Sequence, residues 1–300
     1  MALHGLLLID KGVGLTSHDV VARVRRIINQ KEVGHTGTLD PMASGLMVLV
    51  LGEGAKLSNF ILEGNKAYEL ELRLGIETDT LDITGQILKE NPVHVLDEEV
   101  LRQALQLQGD FEWSVPLYSA KKINGQKLYE YARKEQEVEI PKKHMKFWGV
   151  EPLNSKGRYA IHCSKGSYIR SWISELGRGL GCGATMTALR RTISAPYSLE
   201  QAQNLESLQE ERTRGQIPRS FIPLNEALIG VKKIALKGPD LVMIKNGQIS
   251  HDLRRTLITT FQPGIDQIIQ LVSKEDQRLL AIVGVDPDKG FVIRRGFNAV

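Results

Sequence analysis

The sequence contains little cysteine and no long hydrophobic run. Its two cysteines, Cys163 and Cys182, stand apart without a CxxC pair, which excludes a disulfide framework and a zinc site. The longest apolar runs, residues 5–9 and 45–52, are too short to cross a bilayer. No basic stretch precedes a signal-type apolar segment near the N-terminus, which argues against secretion. These features predict a cytoplasmic protein with reduced thiols and no membrane contact.

The remaining composition is that of a globular protein. Of the 300 residues, 42% are hydrophobic and 25% are charged, which is enough apolar material for a sizeable core. A chain of this length forms one large domain, or one domain of roughly 200 residues with a smaller one.

The charge is unevenly distributed along the chain. Residues 1–120 carry 10 basic and 17 acidic side chains, whereas residues 121–191 carry 15 basic and 6 acidic ones. By charge alone, a polyanionic partner and an ordinary solvated surface explain the basic block equally well. Aromatic residues lie among these lysines and arginines, namely Tyr118, Tyr129, Tyr131, Trp148, Tyr159 and Tyr168. Because cations follow phosphates and rings stack on unpaired bases, the combination favours RNA.

Periodicity predicts a mixture of helices and strands. Residues 17–29 have a helical apolar face behind the cap residues Thr16 and Ser17, and residues 97–109 form a second helix that stops at Gly109. Residues 67–75 alternate strictly, as expected for a half-buried strand. The elements lack the regular alternation of a parallel βαβ fold, so the sequence predicts the α+β class.

The last quarter of the chain differs from the rest. Two prolines within residues 215–226 are followed by short β-rich segments at 231–236, 240–247, 278–285 and 290–297. This pattern predicts a small β-barrel after the main domain. We therefore expect one domain over residues 1–225 and a second over residues 226–300.

One carboxylate stands at the start of a predicted buried strand. Asp40 precedes Pro41 in "GHTGTLDPMASGLMVLVLG", where glycines and proline restrict the backbone. From these residues alone, an Asp-Pro turn with a structural carboxylate is the better explanation. His35 beside a single aspartate does not make a metal site.

Two further segments carry polar or charged side chains that need an interaction partner. Tyr68 opens the alternating strand, where it is either a core tyrosine or a functional ring. In "CSKGSYIR", Lys165, Tyr168 and Arg170 lie between a strand and a helix start. A cation in the first helical turn opposes the helix dipole, so Arg170 is either a surface residue or the partner of a carboxylate or phosphate.

Together these segments resemble the bacterial tRNA pseudouridine synthase B (TruB) family, which isomerises the uridine at position 55 of the tRNA T-loop. The resemblance covers about residues 5–195 and includes "GHTGTLDP", "KAYELELRLGIETDTLDITG", "PLYSAKKINGQKLYEYAR" and "CSKGSYIR" in the family's order. Departures are small: Gly12 stands where the family usually has proline, and "EGAK" where it has "xATK".

The resemblance implies a set of functional residues. Asp40 matches the catalytic aspartate, Tyr68 the tyrosine that stacks on the target base, and Arg170 the arginine that pairs with the carboxylate. It also implies substrate-binding roles for His35, Thr38, Asp82, Tyr168, Leu189, Lys11, Lys66 and Lys165. Residues 120–145 resemble the mobile thumb that closes on the T-arm, and the C-terminal part resembles a PUA-like RNA-binding barrel.

The implied chemistry fits these residue types. Forming pseudouridine breaks the N1–C1′ bond, turns the uracil, joins C5 to C1′ and removes the C5 proton, so no cofactor or metal is required. A carboxylate beside Arg170 stays ionised at neutral pH. Three roles stay open for Asp40: attack at C1′, attack at C6, or stabilisation of a glycal-like species. The glycines of the turn are expected to provide clearance for RNA.

Two alternatives compete with a stand-alone tRNA-modifying enzyme. The first is an RNA-binding module or tRNA-folding chaperone, which would need none of the three catalytic matches at their positions. The second is the guide-RNA-dependent relative of box H/ACA particles, which the thumb-like segment disfavours. We expect a monomer that acts on tRNA without guide RNA or an obligate protein partner.

Overall fold

A computed structural model describes residues 2–134 and 136–298 of the chain. The strands, in chain order, are β1 Gly5–Lys11, β2 Val33–His35, β3 Ser44–Leu51, β4 Lys66–Leu74, β5 Ile76–Thr78, β6 Ile87–Glu90, β7 Gly109–Ser114, β8 Lys122–Ile123, β9 Gln126–Lys127, β10 Lys142–Pro152, β11 Arg158–Cys163, β12 Ala184–Ser194, β13 Tyr197–Ser198, β14 Phe221–Pro223, β15 Lys233–Leu236, β16 Ile268–Ser273, β17 Leu279–Asp286 and β18 Gly290–Gly296.

Helices flank the strands at several points of the chain. They are α1 Ser17–Ile27, α2 Ser58–Leu62, α3 Asp97–Gln106, α4 Leu128–Arg133, α5 Ile169–Gly179, α6 Leu205–Thr213, α7 Pro239–Lys245 and α8 His251–Thr260, with 3₁₀ turns at Gly52–Leu57 and Leu199–Gln201.

A large mixed sheet forms the body of the fold. Its order is β14-β1-β3-β12-β4-β11-β10-β7, with β2 beside β3 and β13 beside β12. The β3–β12 pair is parallel, whereas β12 pairs with β4 and β3 pairs with β1 in antiparallel fashion. The predicted α+β class is confirmed, and most strand pairs of the sheet are antiparallel.

The strand that follows Asp40 lies in the middle of this sheet. Leu46 to Leu51 are buried along β3, alternate side chains packing into the apolar clusters on the sheet's two faces. Burial on both faces explains why the sequence shows a continuous aliphatic run there rather than alternation. The position of Asp40 at the start of a buried strand is thereby confirmed.

The predicted cap of α1 and the predicted alternating strand β4 are both present. Thr16 caps α1 by accepting a hydrogen bond from the Asp19 N–H, and the Asp19 carboxylate accepts one from the Thr16 N–H. The alternating segment forms β4 as expected. One boundary is wrong: α3 ends at Gln106, and Gly109 begins β7 instead of stopping the helix.

The C-terminal part forms a separate four-stranded sheet, β15-β16-β17-β18, packed with α7 and α8. The β-rich prediction for residues 240–247 is wrong, because Pro239 starts a helix there behind Gly238 at φ 54°. Leu241 and Ile244, three residues apart, then pack into the same apolar cluster. The PUA-like barrel and the domain limits at residues 225 and 226 stay predictions.

The thumb-like segment carries its own small elements. A short hairpin of β8 and β9 leads directly into α4, and the chain then returns to the large sheet at β10. Glu135, within the predicted thumb at residues 120–145, lies outside the described residues. Within residues 2–134 and 136–298, no helix is long and apolar enough to span a membrane.

Candidate active site

Asp40 lies in a turn that is fixed to the helix α1. Ser17 accepts a hydrogen bond from the Leu39 N–H at 2.9 Å and donates one to the Leu39 carbonyl at 3.0 Å. The Ala43 N–H closes the turn on the Asp40 carbonyl at 3.0 Å. The backbone around Asp40 is thus held while its side chain remains 36% exposed, so the carboxylate can meet a ligand.

Arg170 is the cation beside this carboxylate. It occupies the first turn of α5 and is buried, and its Nη2 lies 3.1 Å from the Asp40 Oδ2. Its Nη1 and Nη2 donate to the carbonyls of Thr80 and Tyr118, each at 2.9 Å. The same guanidinium therefore joins the Asp40 turn to two other loops, and the carboxylate alternative for its partner is confirmed.

Asp82 contacts the other terminal nitrogen of Arg170, Nη1. Its Oδ2 lies 3.7 Å from the Arg170 Nη1, and its Oδ1 accepts hydrogen bonds from the Thr80 hydroxyl and from the N–H and hydroxyl of Thr84. Asp82 is 4% exposed and is not among the residues that line the cleft. In the structure its carboxylate faces Arg170, and a substrate-binding role for Asp82 stays a prediction.

A cleft of about 530 Å³ opens in front of this ion pair. Eight of the residues that the sequence singled out line it, namely Thr38, Asp40, Lys66, Tyr68, Lys165, Tyr168, Arg170 and Leu189. The structure thus brings together residues from β4, β12, the start of α5 and the Asp40 turn. A second cleft, of about 640 Å³ between β4, α3 and the β10–β11 connection, is mostly apolar and its Asp97 is paired with Lys156 at 2.7 Å.

Two tyrosines supply rings to the cleft. Tyr68 is half-buried on β4, and burial raises the pKa of its phenol above the ordinary value. Tyr168 caps the start of α5, and burial raises its pKa as well. Both rings therefore stay neutral over the physiological range. Leu189, on β12, adds an apolar wall.

Lysines surround the cleft at different depths. Lys66 is buried, its Nζ donates to the Gly64 carbonyl at 2.5 Å, and burial lowers its pKa to about 8. Lys165 is exposed at the rim and pairs with Glu63. Lys121 and Lys143, from the basic block at residues 121–191, also line the cleft.

Two further predicted substrate contacts, besides Asp82, lie outside the cleft. Lys11 is fully buried, and its Nζ donates to the carbonyls of Leu15 at 2.7 Å and Pro41 at 3.4 Å. Burial lowers its pKa to about 8. RNA binding by Lys11 stays a prediction. His35 is half-buried on β2 with an unpartnered Nδ1, and burial lowers its pKa.

Two glycines near Asp40 lie close to other protein atoms, whereas clearance for RNA at this turn stays a prediction. A Cβ on Gly45 would lie 2.4 Å from the Arg191 carbonyl oxygen, and one on Gly34 would lie 3.2 Å from Val50. Arg191 itself lines the cleft and was missed by sequence reasoning. The available signal was strand alternation, which places Arg191 on the same face as Leu189 two residues earlier.

The site consists of a carboxylate, its guanidinium partner and neutral rings, and it contains no metal-ligand cluster. Across the described ranges 2–134 and 136–298, no group of three or more His, Cys, Asp or Glu side chains could hold a metal ion. Cys163 and Cys182 are buried free thiols. The arrangement can hold an electron-deficient sugar carbon or a ring carbon next to an anionic oxygen.

Comparisons with known proteins agree with this geometry. The family model described as "TruB family pseudouridylate synthase (N terminal domain)" matches residues 25–169. The model described as "tRNA pseudouridylate synthase B C-terminal domain" matches residues 170–229. The Cbf5 chain in a crystal structure of a Cbf5–Nop10–Gar1 complex shares the fold, with a TM-score of 0.68 over 98% of this chain and 84% of that one, at 21% identity.

Curated relatives extend the likeness over nearly the whole chain. The tRNA pseudouridine synthase B of Bdellovibrio bacteriovorus is 55% identical over 299 residues, covering 98% of this chain and 97% of the relative. That of Geobacillus thermodenitrificans is 35% identical over 295 residues, covering 94% and 95%. Two matching family models and near-full-length relatives lead to one conclusion: the chain belongs to the TruB family of tRNA pseudouridine synthases.

Proposed function

We propose that this chain acts on the uridine at position 55 in the T-loop of tRNA, with Asp40 at the reacting centre. The observation that carries the proposal is the exposed carboxylate of Asp40, 3.1 Å from a buried guanidinium in a cleft of about 530 Å³. A cleft of this size accommodates a ligand as large as one nucleotide. The isomerisation involves no oxidation or reduction, so the proposed reaction needs no cofactor.

The proposed reaction is an isomerisation, so substrate and product contain the same atoms. The N1–C1′ bond breaks, the uracil turns, C5 bonds to C1′, and the C5 proton leaves while N1 takes one up. Asp40 supplies the anionic oxygen that each of its three possible roles requires. Arg170 places its guanidinium 3.1 Å from this carboxylate. A fixed turn beneath the carboxylate favours one orientation toward the sugar and base.

The target uridine must leave its stack to reach this carboxylate. Enzymes that act on a base in a folded nucleic acid extrude it and replace the lost stacking with protein contacts. Tyr68 is proposed to stack on the uracil, with Tyr168 and Leu189 as further pocket walls. The raised pKa of the Tyr68 phenol supports this role, because a neutral ring stacks without placing a second anion beside Asp40.

The rim of the cleft is proposed to bind RNA phosphates. Lys121, Lys143 and Lys165 line this rim, and the pKa of Lys143 is lowered by burial and by the other two lysines. An RNA phosphate among them would relieve that mutual repulsion. Binding through these cations releases counterions and therefore weakens as the salt concentration rises.

Reversing two of these charges should flatten the salt dependence. We expect the double variant Lys121→Glu with Lys143→Glu to bind tRNA more weakly, and its slope of log affinity against log salt to fall by roughly 0.7–0.9 per lost phosphate contact. Filter binding across a salt series measures both quantities. Lys89→Glu with Lys156→Glu is the matched control, because neither lysine lines this cleft. Equal slopes for the two double variants would contradict the assignment.

The direct test of the proposed function is isomerisation of a defined uridine. Transcripts carrying tritium at C5 of uridine release it to water when pseudouridine forms. We expect the full chain, without guide RNA, to release tritium from a T-arm stem-loop and from full-length tRNA, but not from a stem-loop with cytidine in place of uridine 55. Binding without release would instead support a chaperone, and a requirement for guide RNA would support the guided relative.

A single chain is proposed to be sufficient for this activity. Asp40, Tyr68 and Arg170 of one chain line the same cleft. This supports the predicted monomer. Buried free thiols and a tRNA substrate support the predicted cytoplasmic location.

A further inference from the structure

Arg191 is a buried guanidinium that donates hydrogen bonds to main-chain carbonyls and also interacts with the Tyr68 phenol. It lies on β12, is 3% exposed, and donates from Nε to the Leu46 carbonyl at 2.7 Å. Its Nη1 and Nη2 face the carbonyls of Thr38 at 3.4 Å and Gly37 at 3.3 Å. One rigid side chain thus contacts the chain both before and after Asp40.

The charge of Arg191 has no carboxylate partner. None of the ion pairs within residues 2–134 and 136–298 includes it, although its charge helps to lower the pKa values of Lys66 and His35. A buried unpaired cation is costly, and an apolar side chain at this strand position would avoid that cost. The burial of this strand position therefore does not by itself explain why the residue is an arginine.

Strand pairing and two glycines place Arg191 close to the Asp40 turn. Its strand pairs in parallel with β3, in register with Gly45. Gly45 has φ +100°, and a Cβ there would lie 2.4 Å from the Arg191 carbonyl oxygen. A Cβ on Gly37 would contact the guanidinium at 3.5 Å. Residues 37 and 45, at the two ends of the turn, both lie against this arginine.

We propose that Arg191 is a positioning residue that clamps both ends of the Asp40 turn and so sets the direction of the carboxylate in the cleft. The inference rests on the proposed role of Asp40. Arg170 contacts the carboxylate itself, whereas Arg191 holds the backbone that carries it. The planar fork of a guanidinium can reach three carbonyls at once, which a lysine ammonium cannot match with the same geometry.

The test compares Arg191→Met with Arg190→Met. Arg190 is its neighbour on β12, but it is partly exposed and pairs with Asp10 at 2.7 Å. With the C5-tritiated T-arm stem-loop, we expect Arg191→Met to lower the single-turnover rate about 100-fold, the loss typical of small misplacements of a reacting group. Its Kd for the stem-loop should equal that of Arg190→Met. Arg191→Lys should recover only part of the rate.

A second measurement covers the case in which Arg191→Met does not fold. In Arg191→Lys, we expect faster amide hydrogen exchange at residues 36–46, where the Thr36 N–H donates to the Val48 carbonyl and the Ala43 N–H donates to the Asp40 carbonyl. Unchanged exchange there, equal rates for Arg191→Met and Arg190→Met, or a loss confined to Kd would each overturn the inference. A fully active Asp40→Asn would instead overturn the proposed function, so the two failures are distinguishable.

Discussion

Replacing Asp40 with asparagine is expected to abolish isomerisation while leaving tRNA binding intact. The amide keeps the size and shape of the side chain, but it removes the anionic oxygen that faces Arg170 at 3.1 Å. A group that acts on the reacting atoms typically contributes roughly 10⁴-fold or more to the rate. Because the side chain is 36% exposed, and because Arg170 keeps its hydrogen bonds to Thr80 and Tyr118 and its contact with Asp82, we expect little change in folding stability.

Single-turnover tritium release and filter binding on the same RNA separate the two effects. Asp79→Asn is the matched control, since Asp79 accepts the Gln86 N–H at 2.7 Å in a nearby loop and does not line the cleft. Near-normal release by Asp40→Asn would contradict the catalytic assignment. A large rise in Kd with unchanged release would make Asp40 a binding residue instead.

Replacing Arg170 with methionine is expected to destabilise the protein as well as inactivate it. Asp82 is 4% exposed and would keep a buried negative charge without its cation, while the carbonyls of Thr80 and Tyr118 would lose their donors. Removing one partner of a buried ion pair costs about 3–5 kcal/mol. Urea denaturation should therefore show a clear fall in the free energy of unfolding.

A control on the same helix isolates the effect of burial. The side chain of Arg178 is 77% exposed and paired with Glu175, so Arg178→Met should cost less than about 1 kcal/mol. Adding Asp82→Asn to Arg170→Met should recover part of the lost stability, because the unpaired buried charge is then removed. Equal midpoints for Arg170→Met and Arg178→Met would rule out the buried network as a source of stability.

Sequence reasoning found the parts of the site that depend on local chemistry. Asp40 stands out because a Pro-restricted turn meets a continuous aliphatic strand, and Arg170 because a cation in a first helical turn needs an anion. Family resemblance then added Tyr68 as the third member. Each of these signals involves only a few consecutive residues, which is why they could be recognised before the structure.

What sequence reasoning missed depends on long-range pairing and burial. Arg191 reaches the Asp40 turn only because β12 pairs with β3 across the sheet, and no local pattern reveals that register. The burial of Lys11, whose ammonium donates to the Pro41 carbonyl, also depends on the fold. Residues 240–247 are apolar at spacings that suit either a strand or a short helix, and the preceding Gly-Pro pair decides for the helix.

The hydrogen bond from Arg170 to the Tyr118 carbonyl has a consequence for how the site responds to ligands. Tyr118 lies two residues before the thumb-like segment at residues 120–145, and the same Nη2 also contacts Asp40. Because one guanidinium contacts both, we expect the position of Tyr118 and the position of the Asp40 carboxylate to be energetically coupled, and such coupling is reciprocal. We therefore expect a ligand that shifts the start of the segment to change the order of Asp40, and a ligand bound at Asp40 to stabilise the start of the segment to the same extent.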